Sequence, residues 1–485
     1  MEVKSFVCSI LLVFTSYYSY ADSLSPIDYG LQAAKTGYER YEVLLQTHLS
    51  ALQQGKDVTY KGIKRLSIDI PINAKPIPLP ENVDFAGVEL VIRNNSQNCF
   101  LFCMKQELKP LAISKRKIKT LRFSGNQIRN GSYLLVIEDK SPWVKQRAGY
   151  KYGAIRKDIL LIDNKKNVNT PIYPYSSKFS QPSCSICKVN HNKKTISELT
   201  IYRDSLSTFI TNIFLIENQN NVDLSSLNFN TPKSSLNDDC LITINNCTNI
   251  SFNNVVINGT YATKNKSGYG IAMNNVWNVR IEKVISKNCE WGVFGNSNIN
   301  TVTIDNSDIN RFDIHCYGRD VLCKNTTFRE LYNQVSSFYG YLTFKDCTFI
   351  HSVPLVFESS YNAYTPFKLS FVNCSIIVDP KRPYLINSGY YFDDNNKREE
   401  LTIISWPTIE VKGLNVVLGD GKDWFLFYVK GDNIPTVDDC GGVSIDGLIM
   451  STNKYEPSLY FSNKDIRLFK KGNITIKNSN ILKVN

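Results

Sequence analysis

Short apolar pairs recur along the chain in a fixed pattern. Apolar or small residues occupy positions one, three, six and eight of an eight-residue unit, and two residues separate the pairs. Successive strand side chains point to opposite sides, so each pair is predicted to be a short strand with one buried face. The unit occurs eleven times, starting at Val83, Val222, Ile250, Val279, Val302, Val321, Leu342, Leu369, Ile409, Val443 and Ile474. Such repetition predicts a solenoid.

The residues between the pairs predict how the chain turns. At the fifth position, nine of the eleven residues are Asn, Asp or Gly, which accept a left-handed backbone at little cost. In chain order they are Gly87, Ser226, Asn254, Lys283, Asn306, Asn325, Asp346, Asn373, Gly413, Gly447 and Asn478. Between Val279 and Leu369 the units recur after 23, 19, 21 and 27 residues, one turn of a three-sheet coil each. We therefore predict an all-β fold, a single-stranded right-handed parallel β-helix.

Two segments outside the repeat complete the predicted organisation. Apolar residues at helical spacing predict a helix over residues 38–52 that caps the open N-terminal coil: Tyr38, Tyr41, Leu44, Leu45, Leu49 and Leu52. Residues 106–195 break the repeat and contain five prolines, which favours an inserted subdomain. We predict a signal peptide at 1–21, the cap and first coils at 22–105, the inserted subdomain at 106–195, and the parallel β-helix at 196–485.

The N-terminus has the features of an export signal. Lys4 precedes an apolar run from Phe6 to Phe14, and a small-residue site ends at Ala21. We expect cleavage after Ala21 and a secreted or periplasmic protein. The remaining apolar runs are too short for a transmembrane segment.

The cysteines favour packing over metal binding. Cys323, Cys347 and Cys374 occupy inward positions of the unit, where cysteine behaves as a small core residue. Cys184 and Cys187, with His191, have the spacing of half a zinc site, but no second pair follows at a convincing distance. We predict a local disulfide or hairpin there and no metal site. The sequence indicates no cofactor and leaves a requirement for Ca²⁺ open.

The net charge of the chain favours one class of binding partner. The chain has 56 Lys and Arg against 44 Asp and Glu, a net charge of +12. This excess favours an anionic partner, and an acidic polysaccharide is the one that an exported protein would most often meet. Dense Lys/Arg clusters of the kind that bind nucleic acid are absent from the sequence. An ordinary basic surface is the alternative.

One polar row is the main candidate for chemistry. If Phe312, Ile314 and Cys316 face the core, the alternate residues face solvent along one strand. Those candidate catalytic residues are Arg311, Asp313, His315, Tyr317 and Arg319. A shift of one residue in this alternation would bury the row instead.

Aromatic and acidic residues on neighbouring coils are candidate substrate-binding residues. Trp291 lies one coil before the row, and the stretch with Glu358, Tyr361 and Tyr364 lies two coils after it. Aromatic rings beside charged groups suit the C–H faces of sugars. A second candidate is the acid pair Asp238 and Asp239, since glycoside cleavage commonly uses two carboxylates.

The repeat and the predicted cap resemble the pectin-lyase-like superfamily of secreted carbohydrate-active enzymes and tailspikes, and the chain as a whole resembles exported bacterial β-helix proteins. Asp238-Asp239-Cys240-Leu241 is similar to the Asp-Asp-Cys-aliphatic motif of polygalacturonases, which implies catalytic carboxylates. The histidine and lysine of two other polygalacturonase motifs are missing, because the matching segments read Gly268-Tyr269-Gly270 and Arg280-Ile281-Glu282.

A second resemblance concerns the polar row. Phe312-Asp313-Ile314-His315 is similar to the Phe-Asp-Pro-His core of β-helical uronate epimerases and related lyases. It implies that His315 and Tyr317 transfer protons while Arg311 or Arg319 neutralises the uronate carboxylate. The proline of that motif is absent here, and Cys316 stands where the family has an acid.

Two hypotheses for function follow. The first is a secreted lyase, hydrolase or epimerase that acts on an acidic glycan across the outer face of the coils. The second is a non-catalytic glycan-binding or adhesive protein that uses the same face for stacking. Convergence of Asp313, His315, Tyr317 and an arginine in one groove would favour catalysis.

Overall fold

The computed structural model describes most of the chain. The described residues are 23–96, 99–120, 128, 130–139, 156–172, 182–207, 211–231, 240–260, 268–358, 367–389, 404–430, 437–463, 474–481 and 483–484. The predicted signal peptide therefore lies outside the described residues. None of the helices in these described residues combines the length and the apolar composition of a membrane span.

Successive coils stack in register into a parallel β-helix with three sheets, as the repeat predicts. The first residue pair of each unit forms the first sheet, and the second pair forms the second sheet. Thus Val222 pairs with Ile250, and Leu227 with Val255. A third strand of each coil, which the template does not include, forms the third sheet and pairs Ile242 with Ile271.

The strands of the coils have the following bounds. Those that span more than one sheet are Asn82–Asn94, Lys194–Arg203, Asn220–Asn230, Ile242–Thr260, Ile271–Cys289, Phe294–Asp305, Phe367–Ile377, Thr408–Val417 and Val443–Ser451. Those in the first or second sheet alone are Ser23–Leu24, Asp57–Thr59, Arg65–Ile70, Asp308–Ile309, Gly318–Lys324, Thr327–Arg329, Phe338–Lys345, Thr348–Ile350 and Ile474–Lys477. Those in the third sheet alone are Ile77–Pro78, Cys99–Lys105, Thr211–Glu217, Phe312–Ile314, Tyr332–Val335, Val353–Glu358, Tyr384–Gly389, Asp423–Lys430, Ser458–Ser462 and Lys483–Val484.

The corners between the first and second sheets have the predicted backbone. All eleven residues at the fifth position have positive φ, including Ser226 at 53° and Lys283 at 53°. The first apolar pair is buried in every unit from Val83 to Val443, while Ile474 in the last unit is 36% exposed. The buried side chains form one continuous core.

The eight-residue unit does not match the coil of Lys194–Arg203, because the corner between its first and second sheets is shorter. Ile196 pairs with Val83 and Leu199 with Val88, so three residues here span what five span in the neighbouring coil. The positive φ lies at Glu198. A template with fixed spacing cannot match this coil, although its apolar residues are buried like those of its neighbours.

An α-helix, Gly37–Gln54, occupies the predicted position near the N-terminus, after a short 3₁₀ helix, Pro26–Tyr29. The Thr36 side chain accepts a hydrogen bond from the Glu39 backbone, and Gly55 ends the helix with φ of 63°. Leu44 is buried in the core of the first coils, whereas Leu52 is 45% exposed.

Residues 109–189 contain an antiparallel sheet beside the coils, which we call the side sheet. Its strands are Lys109–Pro110, Ser132–Asp139, Arg156–Asp163, Lys166–Asn167 and Pro182–Val189, with a short helix at Lys115–Thr120. A separate pair of strands, Ile404–Trp406 and Val437–Cys440, lies outside the main sheets. The division of the chain at residues 105/106 and 195/196 stays a prediction.

The cysteines whose side chains the structure describes are free thiols, ten in all. Cys323, Cys347 and Cys374 lie in the core, as predicted. Of the two alternatives predicted for Cys184 and Cys187, a local disulfide or a hairpin, the disulfide is wrong, because both thiols are free. The two residues lie three apart on one strand and therefore point to opposite faces, where they join two different buried clusters.

Candidate functional site

The predicted polar row lies on the outer side of the third sheet, but most of it is not exposed. Phe312 and Ile314 face the core, so the predicted alternation is correct at these positions. Arg311 and Asp313 point outward, yet they are 2% and 0% exposed. The prediction that they face solvent is wrong, because side chains from adjacent coils cover them. His315 is partly exposed.

Tyr269 is the residue that covers Asp313, and two glycines make room for it. Gly295 pairs with Asp313 on the next coil. A Cβ atom on Gly295 would lie 2.4 Å from the Tyr269 ring, and one on Gly292 would lie 3.0 Å from it. The ring therefore lies flat across the wall where these side chains are missing, which brings its hydroxyl to the following coil.

A chain of hydrogen bonds joins five side chains of the site. The Tyr269 hydroxyl donates to Asp313 Oδ2 at 2.7 Å and lies 2.9 Å from His315 Nε2. Arg311 Nε donates to Asp313 Oδ1 at 2.7 Å, and its Nη2 lies 2.6 Å from Asp313 Oδ2. Arg311 Nη2 also donates to Gln334 Oε1 at 3.0 Å. Residues from three coils thus form one network.

The protonation of this network follows from burial and pairing. Burial, and then the negative charge of Asp313, raise the pKa of Tyr269 well above its usual value, so the phenol stays protonated. Burial opposes the charged form of Arg311, but the ion pair with Asp313 raises the pKa of Arg311. Breaking a buried pair of this kind costs about 3–5 kcal/mol. The pair is therefore a fixed part of the site.

Aromatic rings enclose Arg311 on two sides. Its guanidinium carbon lies 4.6 Å from the centre of the Trp291 ring and 4.1 Å from that of Tyr332. Trp291 also contacts Tyr269 edge to face, with centroids 6.0 Å apart. These cation–π contacts stabilise the charge and hold the rings in place. Trp291 is partly exposed beside His315 and Tyr269.

Backbone contacts fix the position of Trp291. The Asn310 amide donates to the Trp291 carbonyl at 2.7 Å, and its oxygen accepts from the Val293 backbone at 3.1 Å. The Thr260 hydroxyl donates to the same Trp291 carbonyl at 2.6 Å. Buried polar side chains therefore stabilise the turn that presents the ring.

The structure separates Tyr317 and Arg319 from this network. The chain turns at Tyr317, where φ is 62°, and the alternation ends there. Tyr317 is fully buried, and with Cys316 it packs against the side sheet, so the predicted solvent exposure of Tyr317 and the predicted inward position of Cys316 are both wrong. Arg319 donates to the Pro171 carbonyl at 2.8 Å and pairs with Asp320. Its contacts attach the side sheet to the coils.

Of the other predicted site residues, one lies on the third sheet and four lie outside the described residues. Glu358 ends a strand of the third sheet two coils after Asp313, and its backbone pairs with Gly389. Tyr361, Tyr364, Asp238 and Asp239 lie outside the described residues. No cluster of His, Cys, Asp and Glu among the described residues is suited to hold a metal ion.

Sequence reasoning missed Tyr269, Tyr332 and Gln334 as members of the site. The sequence contains one signal for the first of them, the segment Gly268-Tyr269-Gly270, which stands where polygalacturonases have a Gly-His-Gly element. Gly292 and Gly295 gave no signal in the sequence, and the structure shows that neither has a left-handed backbone that would require glycine. The absence of a side chain at Gly292 and Gly295 leaves the space that the Tyr269 ring occupies.

Neither protein-family models nor curated protein sequences match this chain. Solved structures do resemble it. The tailspike gp61 of Pseudomonas phage phi297 is 12% identical with a TM-score of 0.50, and the match covers 91% of this chain and 82% of that one. The Gp54 tailspike of Acinetobacter baumannii bacteriophage AP22, solved in complex with a capsular saccharide, is 12% identical with a TM-score of 0.49, covering 93% and 79%.

An endo-xylogalacturonan hydrolase from Aspergillus tubingensis is 10% identical with a TM-score of 0.35, covering 94% of this chain and 99% of that one. At 12% identity, the likeness to the phi297 tailspike concerns the fold and leaves activity open. The stacked coils and the likeness to the phi297 tailspike together show that the chain has a right-handed parallel β-helix fold.

Proposed function

We propose that this chain is an exported carbohydrate-active protein that acts on an acidic polysaccharide, with His315 as the proton-transfer group. The observation that carries the proposal is the Tyr269 hydroxyl, which joins the Asp313 carboxylate to His315 beside the partly exposed Trp291. In catalytic sites, a second side chain commonly orients the base, and a third side chain holds the second one in place. His315, Tyr269 and Asp313 would have these roles in that order.

Hydrogen-bond donors determine the state of His315. The Asp313 carboxylate only accepts hydrogen bonds, so the single phenol proton of Tyr269 goes to it. The phenol oxygen then accepts from His315, whose Nε2 must carry a proton. The nitrogen of neutral His315 that can accept a proton is therefore Nδ1. Asp313 is a positioning residue, because it is fully buried and acts through Tyr269.

This arrangement suits elimination from a uronate. His315 takes the proton next to the sugar carboxylate, the electron pair forms a C=C bond, and the glycosidic C–O bond breaks. The imidazolium then returns the proton to the departing oxygen. Hydrolysis by two carboxylates is less well supported here, because Arg311 binds both oxygens of the buried Asp313. The net charge of +12 favours a polyanionic substrate.

The test is incubation of the purified protein with a panel of polygalacturonate, alginate, hyaluronan and bacterial capsular polysaccharides. We expect ultraviolet absorbance from new unsaturated ends with at least one of them. His315→Asn should lower this rate by about 10²-fold or more, the usual contribution of a general acid or base. The matched control is His351→Asn, since His351 is exposed at a coil corner away from the network. Equal activity in both variants would refute the role of His315.

A second candidate function is glycan binding without catalysis, and the exposed aromatic surface supports it. The Trp291 ring is partly exposed, and the buried side chains of Asn310 and Thr260 bind the Trp291 backbone carbonyl. If this function is correct, Trp291→Ala abolishes binding on a glycan array, while the bound glycan is recovered unchanged from wild-type protein. Loss of product formation with retained binding in His315→Asn would instead favour the enzyme.

A further inference from the structure

A second group of aromatic residues lies on the same sheet as the site, nearer the C-terminal end of the coils. Tyr384 and Tyr428 stack with ring centroids 4.8 Å apart, and Phe425 stacks on Tyr460 at 5.2 Å. Phe425 also contacts Tyr428 edge to face at 6.0 Å. We call these four residues the distal aromatic cluster.

The cluster faces outward, away from the core. Leu426 and Phe427, which lie between Phe425 and Tyr428, and Leu459, which precedes Tyr460, are fully buried in the core. Phe425, Tyr428 and Tyr460 are partly exposed, and Tyr384 is 9% exposed. Three neighbouring coils each contribute to a patch of rings that the core does not require. Partly exposed stacked aromatics on an outer wall are typical of binding surfaces.

Strand register fixes the distance between this cluster and the site. Asp313 pairs with Gln334, Gln334 with Val356, Val356 with Asn387, and Asn387 with Tyr428. Four strand spacings of about 4.8 Å place Tyr428 roughly 19 Å from Asp313 along the axis. A glycan must therefore be several sugar units long to contact both.

We infer that the distal aromatic cluster is a second glycan-binding site, which holds the far part of a polysaccharide whose near part occupies the site at His315 and Trp291. This inference rests on the proposed function. The rings of Tyr428 and Tyr460 stack on sugar C–H faces, and the glycan runs along the axis of the coils on the third sheet. The cluster adds affinity only for long chains.

The test compares binding of long and short fragments by calorimetry. The probe is the polysaccharide from the panel that wild-type protein binds most tightly, as intact chains and as its own disaccharide and trisaccharide fragments. We expect Tyr428→Ala and Tyr460→Ala each to weaken binding of long chains by roughly threefold to tenfold, the range for one aromatic contact. Binding of the short fragments should stay within twofold of wild type.

Tyr341→Ala is the matched control, because Tyr341 is 62% exposed but lies on the first sheet. It should bind both lengths like wild type. Tyr428→Phe, which keeps the ring, should retain long-chain binding and thereby separates stacking from misfolding. Unchanged binding of long chains in both alanine variants would overturn the inference while leaving the proposed function intact, and so would equal weakening for both lengths. Failure of wild-type protein to bind any polysaccharide of the panel would overturn the proposed function as well.

Discussion

Replacing Gly295 with alanine tests whether the space that this glycine leaves for the Tyr269 ring is needed for the hydrogen bond between Tyr269 and Asp313. The new Cβ atom would lie 2.4 Å from the ring, a distance that carbon atoms cannot adopt, so the ring must move. Its hydroxyl then leaves Asp313 Oδ2, at 2.7 Å in the native arrangement. Loss of a hydrogen bond to a charged group costs about 1.5–3 kcal/mol, and overpacking adds about 1–3 kcal/mol. We expect a loss of about 3 kcal/mol in the free energy of unfolding.

Urea unfolding followed by tryptophan fluorescence measures this change, and a double-mutant cycle isolates its cause. In a Tyr269→Ala background there is no ring to displace, so Gly295→Ala should be neutral or stabilise by up to about 1 kcal/mol. In Tyr269→Phe the overpacking remains while the hydrogen bond is already absent. If Gly295→Ala costs the same in the wild-type and Tyr269→Ala backgrounds, the reasoning is wrong.

Burial lowers the pKa of His48 to about 3, so the unfolded chain binds a proton below pH 6.5 that the native state does not, and stability present above pH 6.5 falls as the pH drops toward 3. Urea titrations should show a loss of about 2 kcal/mol at pH 5 from this residue, absent in His48→Gln. Lys283→Gly should stabilise the protein by about 0.5 kcal/mol, because Lys283 has φ of 53°. The control Lys287→Gly, at an exposed strand position, should destabilise it. Melting temperatures that rank the two variants the other way would contradict this. Tyr317→Phe should keep the rate on the responsive polysaccharide, while Tyr269→Phe should lower it; the opposite ranking would restore the site predicted from sequence.

The coils were predictable because their pattern depends on nearest neighbours in the chain. An apolar pair at spacing two and a residue that accepts positive φ are local requirements, and even Ser226 and Lys283 obey the second one. The coil at Ile196 was not predictable in the same way, since its corner is shorter than the template. The disulfide alternative at Cys184 and Cys187 was wrong for a similar reason, because no repeat fixes the strand parity there.

The site was predictable only in part, since it depends on which side chain of one coil lies over which residue of the next. Alternation along one strand placed Arg311 and Asp313 on the outer wall, but it contains no information about what covers them. Tyr269 reaches Asp313 across an intervening coil, from 44 residues earlier in the chain. The side sheet covers Tyr317, and its docking is likewise a long-range contact.

Tyr269, Trp291 and His315 lie on three successive coils, so the site depends on those coils and not on the length of the rest of the solenoid. A duplicated coil inserted C-terminal to Gln334 would lengthen the rod while leaving every contact among these three side chains intact. A duplication between Tyr269 and His315 would move them one rung apart and abolish the hydrogen-bonded chain, although the rod would still form. Lengthening on the C-terminal side would thus change the span between the two aromatic groups, and with it the preferred glycan length, without altering the chemistry.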